Sequence, residues 1–195
     1  MSITFTPAPN ALLTWDEYQA IMQNVGASEQ NQITHLINVA STLCEDLCAR
    51  KLAAQDITAV LSNPTDYALT SLVLSEYPVN SIASINIDPT SQFLTGTIVP
   101  STEYSFNAIN GVMYFNGISI PSGLQIAKVV YNAGYTTPPA TLKQAVIETV
   151  MWLKRRIVMR AGGERGSNMD GLNTTFEVTL PQTIQQMLAP YKRIA

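Results

Sequence analysis

The sequence predicts an α+β protein: a helical bundle body with an inserted, mostly antiparallel β-sheet portion and an extended C-terminal arm. Three observations lead there. Apolar residues recur at helical spacing in two long stretches, Ile33 to Leu47 and Leu142 to Ile157. Between them the period changes to alternation, punctuated by Pro, Gly and Asn-Gly turn signals. After the second helix, a glycine-rich run leads into a short apolar segment bounded by prolines. The implied organisation is an extended lead over residues 1–13, a helical body over 14–161 with a β insert at about 55–133, and a linker with a docking arm over 162–195.

Residues Met1 to Leu13 carry Pro7 and Pro9 and no periodicity, which reads as a lead that stays mobile unless a partner holds it. Thr14-Trp15-Asp16-Glu17 has the form of a capping box opening a short helix to about Asn24. Ser28 is placed to cap a longer helix, whose apolar face is Ile33, Leu36, Ile37, Ala40, Leu43, Cys44 and Leu47. That face is expected to pack on the second long helix.

From Gln55 onward strands are expected at Ile57–Leu61 and Thr70–Leu74, with Asn63-Pro64 turning the chain between them. Pro78 belongs at an edge or a strand start, because it has no N–H to donate. Ser81–Asp88 alternates Ala83, Ile85 and Ile87 against Ser84 and Asn86. Thr90–Thr102 reads as a long polar loop, held as a contact loop. Tyr104–Ile109 and Val112–Asn116 flank Asn110-Gly111, which suits a two-residue type I′ hairpin turn. A strand over Ile126–Tyr131 follows, giving about five strands, and Gly134 breaks it.

Thr137 is the expected N-cap of the second long helix, with Pro138 and Pro139 in its first turn, where missing N–H groups cost nothing. One apolar stripe runs through Leu142, Ala145, Val146, Thr149, Val150, Leu153 and Ile157, and a second through Ile147, Met151 and Val158. Two stripes leave little face for water, so cover is expected on both sides, from its own domain and from a neighbouring subunit. Gly162-Gly163 ends this helix, a linker runs to Gly171, Phe176–Leu180 alternates as a short strand, and Pro181 leads a small helix.

The charge content of 13% is low for a free-standing domain, and a hydrophobic content of 46% supports a sizeable core. Either other subunits cover part of the surface, or it is simply rich in Ser, Thr, Asn and Gln. A formal net charge of -3 argues against a broad nucleic-acid-gripping surface. No apolar run spans a bilayer and the N-terminus lacks a signal-peptide pattern, so membrane association is not expected and the chain is expected to be made in the cytosol. Cys44 and Cys48 read as small reduced core residues, and His35 lies too far upstream to complete a metal site with them. No hydrolase, metalloprotease or phosphate-loop motif is present, so no catalytic, cofactor or metal residue is assigned.

Two candidate interaction sites remain. Leu180, Pro181, Ile184, Met187, Leu188, Tyr191 and Arg193 put an apolar face, closed by a cation, at the end of a glycine linker. Such a face is too small to be stable alone and is expected to dock on a partner or a neighbouring subunit. Lys154, Arg155, Arg156, Arg160 and Arg165 form the other group, read either as compensation of the helix dipole or as charges that meet acidic groups at an interface. The aromatics Tyr104, Phe106, Tyr114, Phe115, Tyr131 and Tyr135 are expected mainly in the core, the alternative being a stacking platform.

Four ordered motifs carry a family resemblance. They are Pro78-Val79-Asn80-Ser81-Ile82-Ala83-Ser84-Ile85, the strand end Val129–Tyr135 with its Ala-Gly-Tyr, Lys143-Gln144-Ala145 in the proline-led helix, and Leu180-Pro181 through Pro190-Tyr191-Lys192-Arg193. Together they resemble the head-tail connector (head-completion adaptor) proteins of long-tailed bacteriophages. The chain departs from that pattern at Trp152-Leu153-Lys154-Arg155-Arg156, where the family more often has an aromatic, Glu, Asn and Arg. The resemblance implies a structural virion protein at the head-tail junction, assembled in the host cytoplasm as a dodecameric ring homo-oligomer. Its implied partners are the portal protein, a tail terminator or other neck protein, and genomic double-stranded DNA that passes through the lumen without sequence-specific binding. The readings of other classes are a small carbohydrate- or ligand-binding β module using the aromatic hairpin, and a hydrolase with carboxylates gathered in a pocket.

Overall fold

The computed structural model describes residues 4–23, 25–158, 166–169, 172–175 and 180–193. The chain is α+β and divides into two compact units, one from residues 1–52 and 137–195 and one from residues 53–136. The first is helical and the second is the inserted β portion.

In the helical unit, α1 (Trp15–Met22) opens with the capping box read from the sequence. Thr14 Oγ1 accepts the Glu17 N–H at 3.2 Å, and Glu17 Oε2 accepts the Thr14 N–H at 3.0 Å. Ser28 is not a helix cap: it lies inside a 3-10 turn over Ala27–Glu29, and α2 runs from Gln30 to Cys48. The entry to α2 is instead fastened by Glu29, whose Oε1 pairs with Lys154 Nζ at 2.8 Å. Ile33, Leu36, Ile37, Ala40, Cys44 and Cys48 are buried along α2, while Leu43 and Leu47 are half-buried. This face packs against α3 (Ala140–Val158). Burial of each such Leu or Ile contributes about 1.5–3 kcal/mol.

The lead is held by the chain itself. Asn38 Oδ1 accepts the Ala8 N–H and its Nδ2 donates to Thr6 O, both at 2.9 Å; Asn31 Oδ1 accepts the Phe5 N–H; Ser41 Oγ accepts the Leu12 N–H at 3.1 Å. Asn31, Asn38, Ser41 and Glu45 share one side of α2, so a polar stripe that reads as solvent-facing is a ladder for an extended strap. Leu12 and Leu13 are buried at its end. Glu45 finishes the arrangement, accepting from the Leu52 N–H at 2.9 Å and from Asn10 Nδ2 at 3.1 Å.

The start of α3 differs from expectation. Pro139 O accepts the Lys143 N–H, which puts Pro139 at the cap and Ala140 first in the helix. A residue before proline is driven to extended backbone, so Pro138 cannot join the helix and Thr137 cannot cap it. Leu142, Ala145, Val146, Thr149 and Val150 are fully buried, but Leu153 is half-buried and Ile157 exposed. On the second stripe Ile147 is buried and Met151 is 45% exposed. The chain thus covers the first half of α3 and leaves apolar side chains open on the second.

Residues Gly166–Met169 (β7) and Leu172–Thr175 (β8) pair as an antiparallel hairpin where a plain linker was expected, with Asp170-Gly171 between the strands. The expected helix stop at Gly162-Gly163 and strand residues 176–179 lie outside the described residues. Helix α4 (Gln182–Leu188) then packs on α3 and α2.

The β unit contains six strands in two three-stranded sheets. Strand β6 (Gly123–Ala133) lies between β1 (Gln55–Asn63) and β3 (Val79–Ile87); β5 (Val112–Phe115) lies between β2 (Ser71–Val73) and β4 (Tyr104–Phe106). All pairings are antiparallel. One core joins both sheets, with Leu72, Leu74, Met113 and Phe115 meeting Val79, Ile85, Val129 and Tyr131. Pro78, after a cis bond from Tyr77, stands just ahead of β3. Two register shifts in β3 change its parity, so Ile82 turns to the core and Ala83, expected inside, is exposed.

The Asn110-Gly111 turn is not the two-residue type I′ turn. Asn107 N–H bonds to Val112 O at 2.8 Å and Gly111 N–H to Asn107 O at 3.0 Å, closing a four-residue loop in which only Gly111 has positive φ. Asn side chains select the longer loop: Asn107 Oδ1 accepts the Ile109 N–H and Asn110 Oδ1 the Val112 N–H. Asn63 is wholly buried, its Nδ2 reaching Tyr67 O, Ile120 O and Pro121 O at 2.9 to 3.2 Å. At Gly134, φ is +108° and an added Cβ would lie 2.3 Å from Ala53 O, so only glycine lets the two ends of the unit cross there.

Candidate docking surfaces

The seven C-terminal residues divide by burial. Ile184 and Leu188 are 1% and 0% exposed, facing α3 and α2. Cys48 O accepts the Arg193 N–H at 2.9 Å, and Cys48 Sγ lies 3.8 Å from Leu188 O. The expected arm is therefore folded onto its own helices, because α2 and α3 offer the apolar cover that a short helix lacks alone. Leu180, Pro181, Met187 and Tyr191 are half-buried and Arg193 is exposed. These residues form the outward side of the docked segment.

That segment shapes a groove. Gln144, Glu148 and Met151 of α3 and Pro181, Thr183 and Ile184 line an open depression of about 360 Å³. A second, of about 310 Å³, lies where the lead passes α1 and α2, with Phe5, Pro7, Trp15 and Asn31 in its wall. His35 is exposed beside it and stacks on Phe5 with ring centroids 4.4 Å apart. Burial pushes the Cys44 thiol up to about 12, and Cys48 is raised for the same reason, so neither is a reactive thiol at neutral pH.

Of the basic group, the three described members stand in different surroundings. Lys154 is paired with Glu29, Arg156 stacks over the Trp152 ring at 4.8 Å, and Arg155 is exposed; Arg160 and Arg165 lie outside the described residues. Glu17 is drawn below the ordinary carboxylate range, first by its hydrogen bond from Lys143 and then by the Thr14 backbone, which ties α1 to α3.

On the β unit, residues 88–99 are built rather than slack. Asp88 Oδ1 accepts from the Thr90 N–H and hydroxyl, and its Oδ2 from the Phe93 N–H, lowering its pKa. Asn86 Nδ2 donates to Thr97 Oγ1, and short 3-10 turns occupy Thr95–Thr97 and Ser101–Glu103. The loop carries Leu94 and Ile98 exposed; Leu124 and Ile109 are also exposed, Ile109 by 80%. Leu94 and Ile98 fall in the loop held from the sequence as a contact loop, whereas Ile109 and Leu124 were not legible, since single apolar residues beside turns give no periodic signal. Of the hairpin aromatics Phe115 is buried, Phe106 and Tyr104 are half-buried against the core and Tyr114 is exposed.

Among the described residues no group of three His, Cys, Asp or Glu side chains is gathered as metal ligands would be, and no helix is long and apolar enough to cross a membrane. Both grooves lie on the helical unit and exposed apolar side chains occur on both units, surfaces of the kind through which a structural protein docks. The head completion protein family model matches residues 11–194, across both units, and the chain belongs to that family. Among the solved chains that share its fold are two from particle necks. One, from the neck of an empty GTA particle computed with C6 symmetry, is 13% identical with a TM-score of 0.59, covering 99% of this chain and 95% of that one. The other, from the neck of a native GTA particle computed with C12 symmetry, is 15% identical with a TM-score of 0.58, covering 100% and 96%. No curated protein matches the chain. Each of the four resemblance motifs contributes packing positions, Val79, Ile85, Val129, Tyr131, Ala145, Ile184 and Leu188 all being buried.

Proposed function

We propose that the protein is a head-tail connector that forms a ring of twelve copies on the portal vertex, in the virion, and joins the head to the next neck or tail protein around the DNA channel. The observation that carries this reading is the family match across both units, and the shared fold with chains from particle necks, one computed with C12 symmetry, supports it. In this reading the helical unit makes the ring body. The outward side of the C-terminal segment, Leu180, Pro181, Met187, Tyr191 and Arg193, meets the portal or a neighbouring subunit, while Ile184 and Leu188 hold the segment in place. Within the basic group Arg155 is the described member exposed to an acidic partner. The β unit offers Leu94, Ile98, Ile109 and Leu124 to a tail terminator or other neck protein. A chain of net charge -3 leaves DNA free to slide, since each neutralised phosphate strengthens retention.

The test mixes full-length protein with cognate portal assemblies and weighs the product by mass photometry. Twelve added copies are expected. Arg193→Glu with Tyr191→Ala should keep the fold and weaken attachment about a hundredfold, a loss of about 2.7 kcal/mol. Failure of the unaltered chain to attach refutes the proposal.

A further inference from the structure

The two outer strands of the first sheet are finished differently. Strand β3 is partly covered: Ile85 O accepts the Val99 N–H at 2.8 Å, Asn86 bridges to Ile98, and the Val79 N–H reaches Ala108 O at 2.7 Å. Strand β1, nine residues long, pairs with β6 alone. It has no Lys, no Pro and no irregularity before Leu61, the features that ordinarily block strand addition. Its inward row, Ile57, Ala59 and Leu61, is only half-buried, although the β6 residues opposite, Tyr131, Val129 and Ala127, are fully buried. One more strand beside β1 would cover that row.

A strand of suitable chemistry is present on the same chain. The β7–β8 hairpin pairs only with itself and packs substantially on no other described element. A lone two-stranded hairpin is marginal in water. Its strands, Gly-Ser-Asn-Met and Leu-Asn-Thr-Thr, carry no charge to desolvate, and β1 carries one, Asp56, already bonded by Asn132 Nδ2 at 2.8 Å. Residues 159–165 join the hairpin to α3, and at about 3.3–3.6 Å per residue they reach up to roughly 25 Å.

We propose that the β7–β8 hairpin of one copy adds to the open edge of β1 in the next, a strand exchange that links neighbours head to tail. The inference rests on the ring reading, because a donor on one unit and an acceptor on the other make a heterologous contact that closes only by rotation.

Full-length chains bearing Asp56→Cys, Thr58→Cys or Val60→Cys are each mixed with a full-length Asn173→Cys chain, bound to portal assemblies and oxidised with copper-phenanthroline. The native thiols are buried, so the introduced ones report. The expected result is a shift, in the mixed samples only, from the 21.3 kDa chain to a species of twice that mass for at least one β1 position. Assembled rings with no cross-link at any of the three positions overturn the strand exchange and leave the ring reading intact. Absence of any multi-copy particle overturns both.

Discussion

Substituting Leu188 with alanine asks whether the C-terminal helix belongs to the core of its own unit. Leu188 is 0% exposed, between α2 and α3. Losing three carbons at about 0.8 kcal/mol each, plus the cavity left behind, gives a cost of about 3–4 kcal/mol. Both tryptophans, Trp15 and Trp152, lie in the helical unit, so their fluorescence follows this unit in a urea titration without contribution from the β unit. With an m-value of about 2 kcal/mol per molar, the midpoint should fall by about 1.5–2 M. The exposed Gln186→Ala on the same helix should stay within about 0.5 kcal/mol of the parent. If Leu188→Ala moved no further than that control, α4 would not be docked in the free chain, and the division of the segment into anchoring and outward residues would be wrong.

Asn63→Ala should destabilise the β unit by about 2–3 kcal/mol, read by hydrogen exchange over residues 53–136, because buried carbonyls lose their donor; unchanged protection would contradict its place as the hub of that turn. The Cys44 thiol, ordinarily near 9.0, is pushed to about 12 by burial. Between these values the unfolded chain releases a proton that the folded chain keeps, so stability should fall as pH rises through that window, by up to about 1.4 kcal/mol per unit. The slope should flatten in Cys44→Ala, and an unaltered slope would place the titration elsewhere.

Some local signals are legible in the sequence; others, at Ser28, Thr137 and Asn110-Gly111, are not, and remote ones are largely lost. Thr14 and Glu17 lie three residues apart and specify their own bonds, and the inner faces of α2 and α3 follow from spacing alone. The strap bonds of Asn31, Asn38 and Ser41 join residues 26 to 32 positions distant, so the same side chains look like an ordinary solvated stripe. The β3 bulges reversed the parity of Ala83 because the register is set by β6 and not by β3 itself. At the C-terminus the apolar face was legible, but its occupant was not: periodicity shows that Ile184 and Leu188 need cover without naming the surface that gives it. Asp170-Gly171 was a hairpin signal hidden by the surrounding glycines.

Where Gly134 crosses Ala53, the parallel bridge from Ala53 to Tyr135 and the bond from the Ala54 N–H to Tyr135 O at 3.2 Å bring the two ends of the β unit side by side. A segment whose start and finish are neighbours behaves as a cassette. It can be cut out, lengthened or exchanged for another β module without altering the path of the helices on either side, provided a glycine is kept at the crossing. That is a route by which one helical scaffold acquires different docking specificities.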